Sequence, residues 1–423
     1  MGKRKVIFFD SWKGGIHNYC RLLDSFADAA IEPMLLHLGS WGNEEKTIDE
    51  EEIEGLKTRD ISYYKRMSFE DILRQEKPDL VLFLSIHTFA HRAFIRYCRK
   101  LNIPTVLLYH GLVRVQAVDD NDKGAYKINT FSYAKKILVR LPKLMVYTLP
   151  CYIKALYRTK ASREDWTDFF KNIVYVFTKP TSFNVANDAK TTHCMIYANA
   201  DRLHAMNIYG FKSEEITEVG NPDFPQFGLK DSQIGSCINA GKVLQNHDVV
   251  YIDTALLITG LFFNNNADYV NHLLATNNLL KAQNRNLLFK PHPETKRLCD
   301  LSLLEKQGVQ IISNNEFIET LEKVCAVILE PTTLSMIPCL MGLPVMLAQY
   351  GKLVELRFGE VLNTYPRACN LKDLSGFNEL LQQEAQQLNP LAINAWIKEN
   401  AGPLPAEEMP MRVTKKIIEL IQH

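Results

Sequence analysis

The stretch Asn286-Leu287-Leu288-Phe289-Lys290-Pro291-His292-Pro293-Glu294 runs from apolar residues into a cation and an imidazole held between two prolines. An apolar run that stops this way reads as a buried strand delivering polar groups at its end, with the prolines fixing φ on either side of the histidine. About forty residues further on, close enough to share one sheet, Val324-Cys325-Ala326-Val327-Ile328-Leu329 runs likewise into Glu330-Pro331-Thr332-Thr333-Leu334. Two strand ends that each present small polar or cationic groups are how an α/β sheet builds a phosphate pocket.

The rest of the chain repeats the alternation. In the first half, Val6 to Phe9 ends in Asp10 and the turn Lys13-Gly14-Gly15, and Ile16 to Ala30 has helical periodicity. Leu80 to Leu84 leads through Ser85 and His87 into a helix over Arg92 to Lys100, and Ile103 to Tyr109 is a strand stopping at His110-Gly111. Ile196 to Asn199 and Ile216 to Val219 follow, and Gly220-Asn221-Pro222 breaks the pattern. Polar composition then continues to about Gly241, where a domain boundary is expected. A second alternation has strands at Val249 to Asp253, Leu287 to Lys290, Val309 to Ile312, Ala326 to Leu329 and Leu343 to Leu347. Continuous apolar runs, rather than alternating ones, predict parallel strands covered on both faces.

Composition sets outer bounds. A chain of 423 residues, 46% hydrophobic and 23% charged, is long enough for two globular domains. A formal net charge of +1 gives no field that argues for nucleic acid. The nine cysteines stand scattered, with neither a C-x-x-C pair nor metal-like spacing, which suits a reducing compartment. Met1 to Lys5 is basic, but the apolar run behind it is about four residues, far short of a signal peptide. A cytoplasmic protein is expected.

One segment departs from the scheme. Tyr133 to Lys160 interleaves Lys135, Lys136, Arg140, Lys143, Lys154, Arg158 and Lys160 with aliphatic and aromatic residues. It is too charged to span a membrane. It reads either as an interfacial helix meeting anionic lipid, at the inner face of the plasma membrane, or as an insertion helix pair folded on its own domain.

Each polar strand end has a chemical reading beside a plainer one. His292 can donate to a phosphate oxygen and Lys290 adds charge, while Pro293 holds the turn; a histidine satisfied within its own turn is the alternative. Thr332 and Thr333 offer hydroxyls and free N–H groups at a helix start, or simply cap that helix. Glu330 would repel phosphate and is expected to face a ribose. Asp253 is the preferred carboxylate for chemistry near the donor, its plain alternative being a helix cap. In the first half Asp10, His87 and His110 are candidates for a general base, and spacing does not choose among them.

Together, the Gly-Asn-Pro junction, Lys290-Pro291-His292-Pro293, and Glu330-Pro331-Thr332-Thr333-Leu334 with the later Gly342-Leu343-Pro344-Val345 resemble the second half of a GT-B glycosyltransferase. The resemblance runs from about Glu218 to Leu347. It is strongest to the bacterial capsule and lipopolysaccharide enzymes that use CMP-activated acidic sugars, the sialyl and Kdo transferases. Those enzymes carry a His-Pro and a Ser/Thr-Ser/Thr motif that bind the CMP, matched here by His292-Pro293 and Thr332-Thr333. It implies an α/β fold of two Rossmann-like doubly wound domains facing across a cleft: an acceptor domain over 1–233, a nucleotide-sugar domain over 244–400, and a C-terminal helix within 401–423 packing back on the first. It further implies a metal-independent transfer from a nucleotide-sugar, Kdo or another CMP-linked ulosonic acid being the first choice, to a surface-glycan or glycolipid acceptor. No Asp/Glu-Asp/Glu-Gly motif is present, so the family's usual base has no counterpart; Asp253 would fit the carboxylate nucleophile that some β-Kdo transferases use.

Three other functions remain compatible with the residues. A nucleotide-sugar 2-epimerase shares the Gly-Asn-Pro junction but has an Asp-Ser-Gly-Gly run where this chain has Glu-Pro-Thr-Thr. A teichoic-type polyol-phosphate transferase also places a histidine at a strand end. A non-catalytic scaffold of a polysaccharide assembly complex would act at the membrane through Tyr133 to Lys160 and bind nucleotide without transferring a sugar.

Overall fold

The computed structural model describes residues 4–42, 44, 46–109, 141–178, 190–238, 246–259 and 262–422. Among them the chain divides into two compact units, one built from 4–109, 141–220 and 407–422 and the other from 221–406. The division falls between Gly220 and Asn221, upstream of the boundary near Gly241 expected from composition. Phe224 and Leu229 explain the difference, because both are buried in the second unit's core and carry the chain into it early.

The first unit holds an eight-stranded sheet. Its strands are β1 (Arg4–Asp10), β2 (Ile31–His37), β3 (Glu50–Ile53), β4 (Leu56–Asp60), β5 (Leu80–Phe83), β6 (Thr105–Leu108), β7 (His193–Ile196) and β8 (Ile216–Glu218). Their order is β3-β4-β2-β1-β5-β6-β7-β8, parallel throughout except for β3 against β4. Four of the five central residues of β1, all of β5 and Val106 to Leu108 of β6 are buried and apolar, as a strand covered on both faces requires. The periodicity of Ile16 to Ala30 resolves into two short helices, His17–Cys20 and Leu23–Asp28. Ser68 caps the helix Phe69–Glu76 in a capping box, and Thr88 caps Phe89–Lys100. Phe94 on the latter stacks on Phe9 of β1 with centroids 4.1 Å apart.

Residues 141–158 are helical, with Leu144–Thr148 wound as a π turn before Leu149–Arg158, which packs on Phe89–Lys100. The first part of the basic segment, 133–140, lies outside the described residues. No described helix is long and apolar enough to cross a membrane. The C-terminal helix Met409–Gln422 belongs to the first unit, where Thr414 Oγ1 meets Ser25 Oγ at 2.7 Å and Arg412 donates to the Val219 carbonyl at 3.2 Å.

The second unit holds a six-stranded, all-parallel sheet of β9 (Asp248–Ile252), β10 (Asn286–Lys290), β11 (Gln310–Ile311), β12 (Ala326–Leu329), β13 (Val345–Ala348) and β14 (Ala368–Leu371). Their order is β11-β10-β9-β12-β13-β14. The far edge is locked by Arg367, buried and bidentate on Glu384 at 2.5 and 2.8 Å, with Nη1 also donating to the carbonyls of Gly342 at 2.5 Å and Cys237 at 3.2 Å.

Candidate nucleotide site

Counted in chain order, the second sheet runs third, second, first, fourth, fifth, sixth, and so reverses direction between β9 and β12. Ligands of open parallel sheets bind beyond the carboxyl ends of the strands at such a reversal. Asp253 follows β9, Lys290-Pro291-His292 ends β10, and Glu330-Pro331-Thr332 follows β12, so the motifs of three adjacent strands converge on that point.

Asp253 organises them. Its carboxylate is 3% exposed. Oδ1 accepts from the Ala255 N–H at 2.5 Å and the Tyr269 hydroxyl at 2.9 Å, and Oδ2 accepts from the His292 N–H at 3.0 Å. One oxygen therefore caps its own turn, where Ala255 sits at φ +59°, while the other reaches across to β10 and fixes the histidine's backbone. Tyr269 comes from the helix Asn266–Ala282.

His292 caps the helix Pro293–Leu298, its Nδ1 accepting from the Glu294 N–H at 3.2 Å. That bond leaves the proton of the neutral ring on Nε2, a donor on a half-buried side chain. Pro293 occupies the first helical position, where a missing N–H costs nothing. Lys290 is 6% exposed, donates to Asn314 Oδ1 at 2.6 Å and lies 5.9 Å from the Phe317 ring centre. Burial and the nearby Lys296 charge lower its pKa, and Asp253 opposes them. A partly desolvated ammonium of this kind attracts an anion more strongly than one in water.

After β12 the chain turns at Thr332, whose carbonyl accepts from the Ser335 N–H at 3.1 Å, through Thr333–Ser335 into the helix Met336–Met341. Thr332 is half-buried, its hydroxyl oxygen lying 3.4 Å from the Leu334 N–H. Thr333 belongs to the same turn.

Glu330 departs from the ribose-facing position expected of it. The side chain is fully buried: Oε1 accepts from Tyr251 at 2.8 Å and Tyr269 at 3.2 Å, and Oε2 from the Thr254 N–H at 2.8 Å. It ties β12 to the turn after β9 and leaves no face for a sugar hydroxyl. Burial, then the neighbouring Asp253 charge, raise its pKa well above the ordinary value of 4.5, with the three hydrogen bonds opposing. The native state thus holds the proton more tightly than the unfolded chain. Its contribution to stability is complete below pH 4.5 and is lost as the pH rises toward the native pKa, by at most about 1.4 kcal/mol per pH unit. Glu330→Gln, which mimics the protonated form, is expected to gain in melting temperature over the parent as the pH rises above 5 and to level off above the native pKa. A difference that stays constant with pH would contradict a neutral Glu330.

Tyr251, Tyr269 and Asn314 were not evident as site residues in the sequence. The one available signal is Tyr251, the only side chain with a polar group between Val249 and Ile252.

In the first unit the sheet reverses between β1 and β5. Asp10 stands there at the end of β1, 9% exposed, with Oδ1 accepting from the Ser11 N–H at 2.6 Å and Oδ2 from the Tyr19 hydroxyl at 3.1 Å. His87, beyond β5, stacks on Tyr209 with centroids 5.9 Å apart. His110 lies outside the described residues.

No protein-family model matches the chain, and no curated protein is significantly similar to it. Among solved structures, CalG4, the calicheamicin glycosyltransferase, aligns with a TM-score of 0.52 at 10% identity over 100% of this chain and 99% of its own. The fold is GT-B. The wall teichoic acid polymerase TagF, in a crystal soaked with CDPG, aligns at 0.51 and 13% identity over 100% of this chain and 90% of its own. A UDP-GlcNAc 2-epimerase from Methanocaldococcus jannaschii aligns at 0.45 and 12% identity, covering 98% and 99% of the two chains. In GT-B terms the second unit is the half where His292 and Thr332 stand at the reversal of the sheet.

Proposed function

We propose that this chain is a glycosyltransferase whose second unit binds a cytidine-linked sugar donor and transfers the sugar to a surface-glycan or glycolipid acceptor. The observation that carries this reading is the hydrogen bond from the His292 backbone to Asp253, which sets a free imidazole donor at the reversal of a parallel sheet beside the Thr332 turn. The Nε2–H and the Lys290 ammonium would meet the phosphate charge, and Thr332 with Thr333 would supply further donors. With the phosphate met by these groups, a chelator is expected to leave transfer unchanged. A CMP-linked ulosonic acid such as Kdo is the preferred donor, from the His-Pro and Thr-Thr motifs. A CDP-linked polyol is the second reading, favoured by the likeness to TagF soaked with CDPG.

The acceptor side is read from helix 141–158. Met145, Val146 and Tyr157 are 57%, 62% and 82% exposed beside Lys154 and Arg158, a pattern that suits an anionic membrane surface bearing the acceptor.

A thermal-shift series with CMP, CDP, UDP and GDP tests the donor class. A nucleotide at a hundred times its dissociation constant stabilises by about 2.7 kcal/mol, a shift of a few degrees for a chain of this size. The expected order is CMP first and CDP close behind. A UDP preference would redirect the reading to hexosyl transfer or epimerisation, and no shift with any nucleotide would sink it.

A further inference from the structure

The first unit contains a cavity of about 400 Å³ lined by none of the nucleotide-site residues, which belong to the second unit. It opens between the loop after β2, the loop after β4 and the helix Leu149–Arg158. Asp60, fully buried at the end of β4, joins the two loops: Oδ2 accepts from the Ser40 N–H and Oδ1 from the Ser62 N–H, both at 2.9 Å. Burial pushes the Asp60 carboxyl up, but the bonds from Ser40 and Ser62 prevail and hold it below the ordinary range, so the clamp stays ionised.

The wall is aromatic. Phe69, Trp41 and Tyr147 form a ladder, Trp41 lying 5.8 Å from Phe69 and 5.6 Å from Tyr147 with planes within 20° and 13° of parallel. Tyr147 ends the ladder and is 41% exposed, so its outer face is open. The electron-rich face of an exposed ring packs on the weakly positive C–H groups of a sugar ring.

The rim is cationic. Arg66 and Lys154 line it, neither in an ion pair among the described residues, and no carboxylate lines the cavity. Lys154 and Arg158 are sensed at a distance by Asp71, whose carboxylate is engaged with Ser68.

The floor holds an unpaired polar group. Tyr97 is 1% exposed, lines the cavity, and its hydroxyl has no hydrogen-bond partner among the described residues. A buried hydroxyl left unpaired is a cost that native proteins seldom carry without a ligand or water to meet it. Burial pushes this phenol up to about 12, so it remains a donor at neutral pH. A cavity of this size is at the small end of the roughly 300–1,000 Å³ typical of ligand sites, which fits one sugar unit rather than a polymer.

We propose that this cavity binds a sugar bearing an anionic group, stacked on Tyr147, with its charge met by Arg66 and Lys154 and a ring hydroxyl or ring oxygen met by Tyr97. It is then the acceptor subsite of the proposed transferase. Only the word acceptor rests on that function; the binding of an anionic sugar does not.

Ligand-detected NMR on the full chain, with glucose 6-phosphate, glucose and inorganic phosphate as probes, tests it. Glucose 6-phosphate is expected to bind at least tenfold more tightly than either of the others. Tyr97→Phe should keep or raise the melting temperature, since it removes only an unpaired hydroxyl, yet weaken glucose 6-phosphate about three- to tenfold. Arg66→Ala should weaken it by about tenfold, and His292→Ala should leave it unchanged. Equal binding of glucose 6-phosphate and phosphate, or no response to Tyr97→Phe, overturns the proposal. Loss confined to His292→Ala would place the probe in the nucleotide site and also overturn it, while leaving the donor reading intact. Phosphatidylcholine vesicles with and without phosphatidylglycerol supply the last arm. Anionic vesicles that leave glucose 6-phosphate bound support a sugar site; vesicles that displace it, whether or not Tyr97→Phe alters the displacement, make the cavity part of a membrane face and defeat the proposal.

Discussion

Asp253→Ala is expected to abolish nucleotide binding and to cost about 2–4 kcal/mol of stability, because three donors lose their acceptor at once and each buried group left unpaired costs about 1–3 kcal/mol before relaxation. The donors are the Ala255 N–H, the Tyr269 hydroxyl and the His292 N–H. Tyr269 can fall back on Glu330 Oε1 at 3.2 Å, which is why the cost stays below the full sum. Ala255 has no such recourse, and its backbone at φ +59° is held by this bond. The sequence offered Asp253 as a nucleophile or a cap, and the geometry adds a third role, bracing the turn that carries His292. Asp253→Asn separates them. Its carbonyl can still serve Ala255 and Tyr269, so most of the melting temperature should survive, but its amide would confront the His292 N–H, donor against donor. Bracing predicts that the Asn variant loses the CMP shift along with transfer. A nucleophile predicts that transfer disappears while the CMP shift stays. An Ala variant with the parent's shift and activity would remove Asp253 from the site altogether.

The strand ends of the second sheet were legible because their chemistry is contiguous: Lys290 to Pro293 and Glu330 to Thr333 each put an apolar run and its polar end in one short stretch. The bonds that join those ends were not. Asp253, Tyr269, His292 and Glu330 come from four separated segments, and nothing local in any of them specifies the partner. The ribose expectation for Glu330 rested on its charge in water, whereas burial raises its pKa well above the ordinary value and Tyr251, Tyr269 and the Thr254 N–H take up its oxygens. Missed strands have the same kind of cause. Pro33 interrupts the strand signal of β2, and Glu50-Glu51-Glu52-Ile53 of β3 is a charged, half-exposed edge. In β14 only Leu371 is fully buried, and what holds that strand's start is Arg367 on Glu384, a pair seventeen residues apart. The helix expected over Ile16 to Ala30 breaks near Arg21 and Leu22, although its buried positions Tyr19, Leu22 and Phe26 keep the period that suggested it.

His292→Ala is expected to lower transfer by about 10²–10³-fold, the usual consequence of removing one preorganised donor from charge that develops in the transition state. Because Nδ1 accepts from Glu294, the imidazole is held in one orientation and one tautomer, and the Nε2–H is a fixed donor that needs no reorganisation when phosphate charge builds up. The Ala variant also loses the cap of the helix Pro293–Leu298, worth about 1 kcal/mol, so a loss of activity alone would not separate catalysis from folding. His292→Asn does. Asparagine is among the best capping residues and can accept from the Glu294 N–H, which restores the helix start, but its short side chain carries no donor out to where Nε2 stands. The expected pattern is a melting temperature close to the parent's for Asn and lower for Ala, with transfer and the CMP shift lost in both. If Asn recovers transfer together with stability, His292 is a cap and the phosphate must be held by Lys290 and the Thr332 turn without it.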